Sequence, residues 1–312
     1  MPINIIRFIL VLRVCGLGEL ATLKLFVWLS QKFSKDSRTN RRIFLTNRVR
    51  SDGGGSQVLY SFFTLAVSQR MGIPYAHRPF REIEHHGGNQ QGSVVSWNRA
   101  FDFSSRFPIP ERMRVFSLGS RLHVLWALAE NSAPIALTSH RIRAISDLNP
   151  SMLEEARQVL RAVYDAPIRP EETRGAPSKI LFHLRRGDVS LEAHPSRFTS
   201  VEEILDDAKR VKFHFCDASA EISICTEPVP GGQNTYDPAM FQVFADNDPL
   251  DSLHRLSRAR VLVTGTSSFS YLAGLLNPGS VVFRDFWHPP MSDWVLLRDL
   301  RTIEGTKRPS SE

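Results

Sequence analysis

The chain has 312 residues, 42% of them hydrophobic, enough to bury an ordinary core; at roughly 150 residues per domain the length suggests two. A formal charge of +7 at pH 7 attracts anions, but the basic residues are scattered apart from short clusters such as Arg41-Arg42. Neither zinc-finger spacing nor a block of like charge marks a nucleic-acid binder, and three cysteines (Cys15, Cys216, Cys225) without a Cys-x-x-Cys pair exclude a disulfide framework and point to a reducing compartment.

Residues 1–40 read as an N-terminal amphipathic extension. Ile5, Phe8, Ile9 and Leu12 share a helical face, while Arg7, Arg13, Glu19 and Lys24 interrupt the apolar run. Charges near the centre of a spanning helix are costly. No small-residue cleavage site follows, so a cleaved signal peptide is not expected. The extension is expected to pack on the protein or to lie on a membrane surface through residues 1–34, with a cytoplasmic body. An N-terminal membrane anchor is the alternative.

Residues 41–165 alternate as a parallel α/β domain does. Arg42 to Thr46 reads as a strand, Ser51 to Gln57 as a glycine-rich turn, and Val58 to Met71 as a helix with Leu59, Phe62, Phe63, Ala66 and Val67 on one face. Ile73 to His77, Ser93 to Trp97, Val115 to Leu118 and Ile135 to Thr138 are expected strands, and Arg121 to Glu130 a helix. Ser151 is expected to cap a helix running to about Tyr164, with Glu154 closing a capping box. The polar stretch 166–178, rich in proline, reads as a linker.

A second series fills 179–312. Strands are expected at Lys179–Leu184, Glu221–Thr226, Val261–Thr264 and Val281–Arg284, and helices at Val201–Arg210, Pro249–Arg258 and Ser268–Leu276. The fold class is therefore α/β, with two Rossmann-like doubly wound domains facing a cleft.

Three segments carry chemistry. In Ile180-Leu-Phe-His-Leu-Arg-Arg-Gly-Asp188 an apolar strand delivers two arginines to its carboxyl end, where open α/β sheets bind ligands. Guanidinium groups match phosphate oxygens with paired, charge-assisted hydrogen bonds. Gly187 would turn the backbone, and Asp188 would orient an arginine or bind a sugar hydroxyl. In Val261-Leu-Val-Thr-Gly-Thr-Ser-Ser-Phe-Ser270 a second strand runs into hydroxyl residues at a helix start, suited to a phosphate or nucleobase. Asp52-Gly-Gly-Gly-Ser-Gln57 lacks both the Gly-x-Gly-x-x-Gly spacing and the lysine of a P-loop, but its glycines would let backbone approach a ligand or the other domain.

His-x-Arg-Arg-Gly-Asp followed later by Ser-Ser-Phe-Ser resembles the α1,2- and α1,6-fucosyltransferase superfamily, with the protein O-fucosyltransferases as more distant relatives. Asp52 to Gln57, Met71-Gly-Ile-Pro-Tyr-Ala-His-Arg-Pro-Phe80 and Ile83-Glu-His85 look like related chains sharing this start. The resemblance spans about residues 42 to 290 and implies a metal-independent, inverting GT-B enzyme using GDP-fucose, with no cofactor and no bound metal, and a glycan or glycoconjugate acceptor. On that reading Arg185, Arg186 and Asp188 are catalytic, with Arg185 on the β-phosphate. His183, Gly187, Thr266, Ser267, Ser268 and Phe269 line the donor site. Gly53, Gly54, Gly55, Gln57, His77, Glu84 and His85 lie on the acceptor side. Inversion needs a base, for which Asp188, Glu192, His194, Glu84 and His85 stand as candidates. The stretch Thr226-Glu-Pro-Val-Pro-Gly-Gly-Gln233 departs from the family, lacking the Ser-Asp-Asp that often follows the preceding strand.

Two other readings compete. Asp246-Asn-Asp248 has the Asp-x-Asp form of metal-dependent transferases, but Asp248 before Pro249 also reads as an ordinary helix cap. A non-catalytic carbohydrate- or nucleotide-binding protein that kept the fold is the alternative from another class.

Overall fold

Short apolar runs become parallel strands in both halves of the chain. The computed structural model describes residues 43–84, 90–117, 134–138, 151–164, 179–186, 189–227, 236, 240–245 and 248–301. The chain divides into two units, Met1–Asp165 and Ala166–Glu312. Each contains its own sheet, and every described strand pairing is parallel. This is the α/β class that the alternation predicted. The expected N-terminal extension, the helix at Arg121–Glu130 and the linker lie outside the described residues.

In the first unit β1 (Ile43–Thr46), β2 (Tyr75–Ala76), β3 (Arg114–Ser117) and β4 (Ile135–Thr138) form a sheet in the order β2-β1-β4-β3. Helix α1 (Gly54–Met71) is buried along nearly its whole length, from Gly54 and Gly55 through Phe62, Phe63 and Val67. Two further helices follow β2, α2 (Gln90–Ala100) and the single turn α3 (Phe103–Arg106), and α4 (Ser151–Val163) ends the described part of the unit.

Two expectations are corrected here. Ser93 to Trp97 belongs to α2 and not to a strand. The β-branched Val94 and Val95 suggested extended chain, yet Val95 is exposed while Trp97 is buried and stacks on Phe101 four residues later, rings 5.8 Å apart at 12°. That i,i+4 contact requires helical spacing. The second correction concerns the glycines. The turn is expected to extend to Gln57, but α1 already begins at Gly54, with Gly53 as its N-cap at φ −61°. A Cβ on Gly54 would stand 2.4 Å from the Trp97 ring. The backbone thus approaches an indole of its own unit.

Gly54→Ala tests that packing. Alanine would gain about 1 kcal/mol of helix propensity over glycine. Overpacking a buried ring typically costs about 1–3 kcal/mol, so the clash wins, and the urea midpoint should fall. An unchanged or raised midpoint would mean that Trp97 yields without cost.

The second sheet has β5 (Lys179–Leu184) and β8 (Val261–Val263) at its centre, with β6 (Glu221–Thr226) and β7 (Gln242–Ala245) on one side and β9 (Ser280–Phe283) and β10 (Val295–Leu296) on the other. The order β7-β6-β5-β8-β9-β10 is that of a dinucleotide-binding fold, 3-2-1-4-5-6 in order of appearance. Its helices start at side-chain caps. Ser200 and Glu203 form a reciprocal capping box on α5 (Val201–His214). Asp248 caps α6 (Pro249–Ser257) with proline at the first helical position, and Ser267 caps α7 (Ser268–Leu276). Ile180, Phe182 and Leu184 on one face of β5 pack with Ile204, Ala208 and Val211 of α5, making the core beneath the carboxyl ends of the strands.

Candidate functional site

Strands β5, β6 and β7 run outward in one direction and β8, β9 and β10 in the other, so the topological switch lies between β5 and β8. A crevice forms at the carboxyl ends of two such strands, and ligands of this fold class bind there. Leu184 ends β5 and hands the chain to Arg185 and Arg186; Val263 ends β8 and hands it to Thr264, Gly265, Thr266 and the α7 cap. The two expected motifs therefore meet at one place, in one unit.

Close approach of the two strand ends depends on Gly265. A Cβ there would lie 2.6 Å from the His183 carbonyl oxygen and 3.3 Å from its Nδ1. His183 itself is buried, ring to ring with Phe269 at 5.4 Å. Burial first, then the charges of Arg185 and Arg186, push its pKa down to about 3, so the ring is neutral at physiological pH. It shapes the floor of the site as an uncharged group.

The two arginines differ. Arg185 is half-buried and Arg186 is buried. Arg186 donates from its two terminal nitrogens to the carbonyls of Thr199 (2.7 Å) and Arg185 (3.2 Å), and its guanidinium lies 4.3 Å from the centre of the Phe198 ring. It fastens the segment after β5 back onto the strand end. Gly187 and Asp188 lie outside the described residues; Glu192 and His194, farther along this segment, are exposed.

At the β8 end, Ser267 is consumed by structure, its hydroxyl accepting from the Ser270 N–H at 3.0 Å. The Ser270 hydroxyl accepts in turn from the Gly265 N–H at 2.7 Å. Thr266 donates to the Arg197 carbonyl at 3.0 Å. Ser268 and Phe269 are partly exposed at the start of α7, which carries no acidic residue in its first turn, so its N-terminal dipole faces anions without local competition.

Sequence reading missed Arg197 and Arg284. Arg197 sits on the 3-10 turn Pro195–Arg197, a segment without periodicity. Arg284 follows β9, and the same rule that drew attention to Arg185, an arginine at a strand's carboxyl end, would have found it. Its side chain pairs with Asp207, and its N–H donates to the Thr264 hydroxyl at 3.0 Å.

The candidates of the first unit have internal partners. Gln57 donates to the carbonyls of Asp52 (2.7 Å) and Glu82 (2.6 Å), stitching the glycine segment to the chain after β2. Gly53, Gly54 and Gly55 form the start of α1. His77 is buried between Phe103 (4.9 Å) and Phe80 (5.4 Å), with Nδ1 3.0 Å from the Tyr75 hydroxyl. Burial lowers its pKa to about 3. Glu84 is exposed, and His85 lies outside the described residues.

Asp248 accepts from the Leu250 N–H at 2.9 Å, as the helix-cap reading expected; Asp246 lies outside the described residues. Among the described residues no cluster of three or more His, Cys, Asp or Glu could hold a metal ion. Nor is any described helix long and apolar enough to cross a membrane.

The two neutral histidines set an acid response. Their folded values lie below the ordinary 6.5, so between about pH 3 and 6.5 the unfolded chain binds more protons and stability rises with pH. Falling pH should cost each unit up to about 1.4 kcal/mol per pH unit in that window. Urea unfolding of wild type and His183→Gln at about pH 6 and about pH 4.5 reads it. The variant should show the shallower slope, and equal slopes would mean that His183 protonates freely in the native state.

No family model matches the sequence, and no curated protein matches it. Among solved structures, NodZ α-1,6-fucosyltransferase soaked with GDP-fucose aligns with a TM-score of 0.41 and 14% identity over 79% of this chain and 96% of that one. POFUT1 in complex with GDP aligns at 0.36 and 13% identity, over 78% and 98%. A variant of Arabidopsis thaliana FUT1 in complex with GDP aligns at 0.40 and 10% identity, over 92% and 78%. TM-scores of this size add nothing to the geometry above.

Proposed function

We propose that this chain is a glycosyltransferase that binds a nucleotide sugar through its diphosphate at the β5/β8 crevice, with GDP-fucose as donor and a glycan or glycoconjugate hydroxyl as acceptor. The observation that carries the reading is the meeting of Arg185 and the α7 N-terminus at the switch point of the six-stranded sheet. A leaving nucleoside diphosphate develops negative charge as the sugar acquires oxocarbenium character, by analogy with glycoside chemistry. Fixed donors aimed at that charge are the main catalytic device such a site has. Arg185 would meet the phosphate, Arg186 would hold the backbone that aims it, and Ser268 with the α7 amides would meet the oxygens on the other side. The choice of fucose and guanosine rests on the resemblance of His183-Leu-Arg-Arg-Gly-Asp188 and Ser267-Ser-Phe-Ser270 to fucosyltransferase motifs.

Inverting transfer also requires a base on the acceptor hydroxyl. Asp188, Glu192, His194, Glu84 and His85 are the positions to substitute; the base is the one whose loss abolishes transfer while leaving donor binding intact. We propose further that the reaction is metal-independent, with Asp248 serving α6 as its cap.

A thermal-shift screen of nucleotide sugars, followed by donor hydrolysis and transfer assays with and without EDTA, tests the reading. GDP-fucose should raise the melting temperature, and turnover should survive chelation. Binding without turnover on any acceptor would favour a non-catalytic sugar-nucleotide binder. Loss of turnover in EDTA with rescue by manganese would defeat metal independence.

A further inference from the structure

The chain that leaves β8 is held more tightly than a helix start requires. Thr264, Gly265 and Thr266 are consecutive, and each is bonded to a different element. The Thr264 hydroxyl accepts from the Arg284 N–H at the end of β9 (3.0 Å), and the Gly265 N–H donates to the Ser270 hydroxyl in α7 (2.7 Å). The Thr266 hydroxyl donates to the Arg197 carbonyl on the segment returning from β5 (3.0 Å). The cap of α7 is complete without the middle bond. Ser267 accepts from the Ser270 N–H at 3.0 Å, and its own N–H donates to the Gly265 carbonyl at 3.0 Å. In a capping box the side chain at the third helical position reaches back to the N–H of the cap residue. Ser270 occupies that position but takes the N–H of Gly265, two residues before the cap.

Burial and hydrogen bonding divide this turn into two sets. Thr264, Gly265, Ser267 and Ser270 are buried, and the bonds above engage each of them. Thr266, Ser268 and Phe269 are partly exposed, and none of the described residues accepts from their N–H groups. The unengaged amides thus belong to the residues that reach the surface, at the positive end of α7. Their height above the sheet depends on Gly265, because a Cβ there would stand 2.6 Å from the His183 carbonyl oxygen. His183 lies two residues before Arg185, so Gly265 is where the amide side of the crevice touches the arginine side. Ser270 is the side chain that holds Gly265 in that place.

We propose that Ser270 is a positioning residue of the donor site: through the Gly265 N–H it fixes the α7 amides at the distance from Arg185 that a diphosphate spans. The inference rests on the donor reading above and assigns Ser270 no contact with the donor itself. Calorimetric titration of GDP into wild type, Ser270→Ala, Ser270→Cys, Gly265→Ala and Val211→Ala tests it, at a temperature where circular dichroism shows the protein folded. Val211 is buried in the last turn of α5, so Val211→Ala lowers the melting temperature without reaching the turn after β8. Ser270→Ala should weaken GDP binding roughly tenfold, because charge-assisted amide contacts lose their aim. Ser270→Cys, which keeps a weaker acceptor, should lose about threefold. Gly265→Ala, which pushes the turn off the β5 end from the other side, should match Ser270→Ala. Val211→Ala should bind GDP as the wild type does. Wild-type GDP affinity in Ser270→Ala, or in Ser270→Cys should the alanine variant not fold, would overturn the inference and leave the donor reading standing. So would a loss in Val211→Ala as large as that in Ser270→Ala. Failure of the wild type to bind GDP would overturn both.

Discussion

Arg185→Ala is expected to lower kcat/KM by roughly 30- to 1,000-fold, corresponding to about 2–4 kcal/mol of lost transition-state stabilisation. The residue follows β5 directly, beside the switch point, and is half-buried, so a phosphate bound there would be partly shielded from water. Donor affinity should fall with turnover, because the ground-state diphosphate already carries charge. Arg185→Lys should also be poor, since an ammonium offers no paired fork to two oxygens. Arg186→Ala should behave differently. That guanidinium holds the Thr199 carbonyl and lies against Phe198, so its loss should lower the melting temperature along with activity. Wild-type turnover and donor affinity in Arg185→Ala would end the assignment of Arg185 as the phosphate ligand.

The centre of the second sheet was legible because its strands are nearly all apolar. Val261-Leu-Val263 is buried at every position, and the run ends abruptly in small hydroxyl residues. What escaped were elements with weak signatures. Strand β7 is an edge strand whose residues are exposed or only partly buried, so its sequence shows no clean alternation, and β10 is two residues long. In the first unit, strand propensity at Val94-Val95 lost to the Trp97–Phe101 stack and to Asn98, whose side chain accepts from the Phe80 N–H at 3.0 Å and donates to its carbonyl at 2.9 Å. The stack follows helical i,i+4 spacing, whereas the Asn98–Phe80 pair is a tertiary contact that local pattern does not encode. At the site, Arg185 and Ser268 were visible because each follows an apolar strand in the chain. Arg197 was not, because it comes to the strand ends through tertiary contacts such as the Thr266 bond and the Trp287 ring.

Asp207→Ala should cause the largest loss of stability, about 3–5 kcal/mol. The Asp207 side chain is buried in α5, where one carboxylate oxygen accepts from Arg210 at 3.2 Å and the other from Arg284. Arg210 also donates to the carbonyls of Leu297 and Leu300, both at 2.8 Å. A single carboxylate thus ties α5 to the end of β9 and, through Arg210, to the last described turn of the chain. Burial pushes the Asp207 carboxyl up while the two guanidiniums pull it down. Removing it leaves two neighbouring cations without their counter-charge, which costs more than the ion pair itself contributes. The loss would be a substantial part of the roughly 5–15 kcal/mol that holds an ordinary domain folded. Asp207→Asn, which keeps the shape, should cost less. Pairing Asp207→Ala with Arg284→Met should recover part of the loss, because the second change removes one of the stranded charges. Urea unfolding of wild type, Asp207→Ala, Arg284→Met and the double variant in a double-mutant cycle gives the coupling directly. A wild-type midpoint for Asp207→Ala, or strict additivity in the cycle, would show that Asp207 and Arg284 are solvated separately. A coupled result would also bear on the site, since Arg284 donates its N–H to Thr264 at the end of β8, two residues before Thr266. Donor affinity should then fall in Asp207→Ala even under conditions where the protein stays folded.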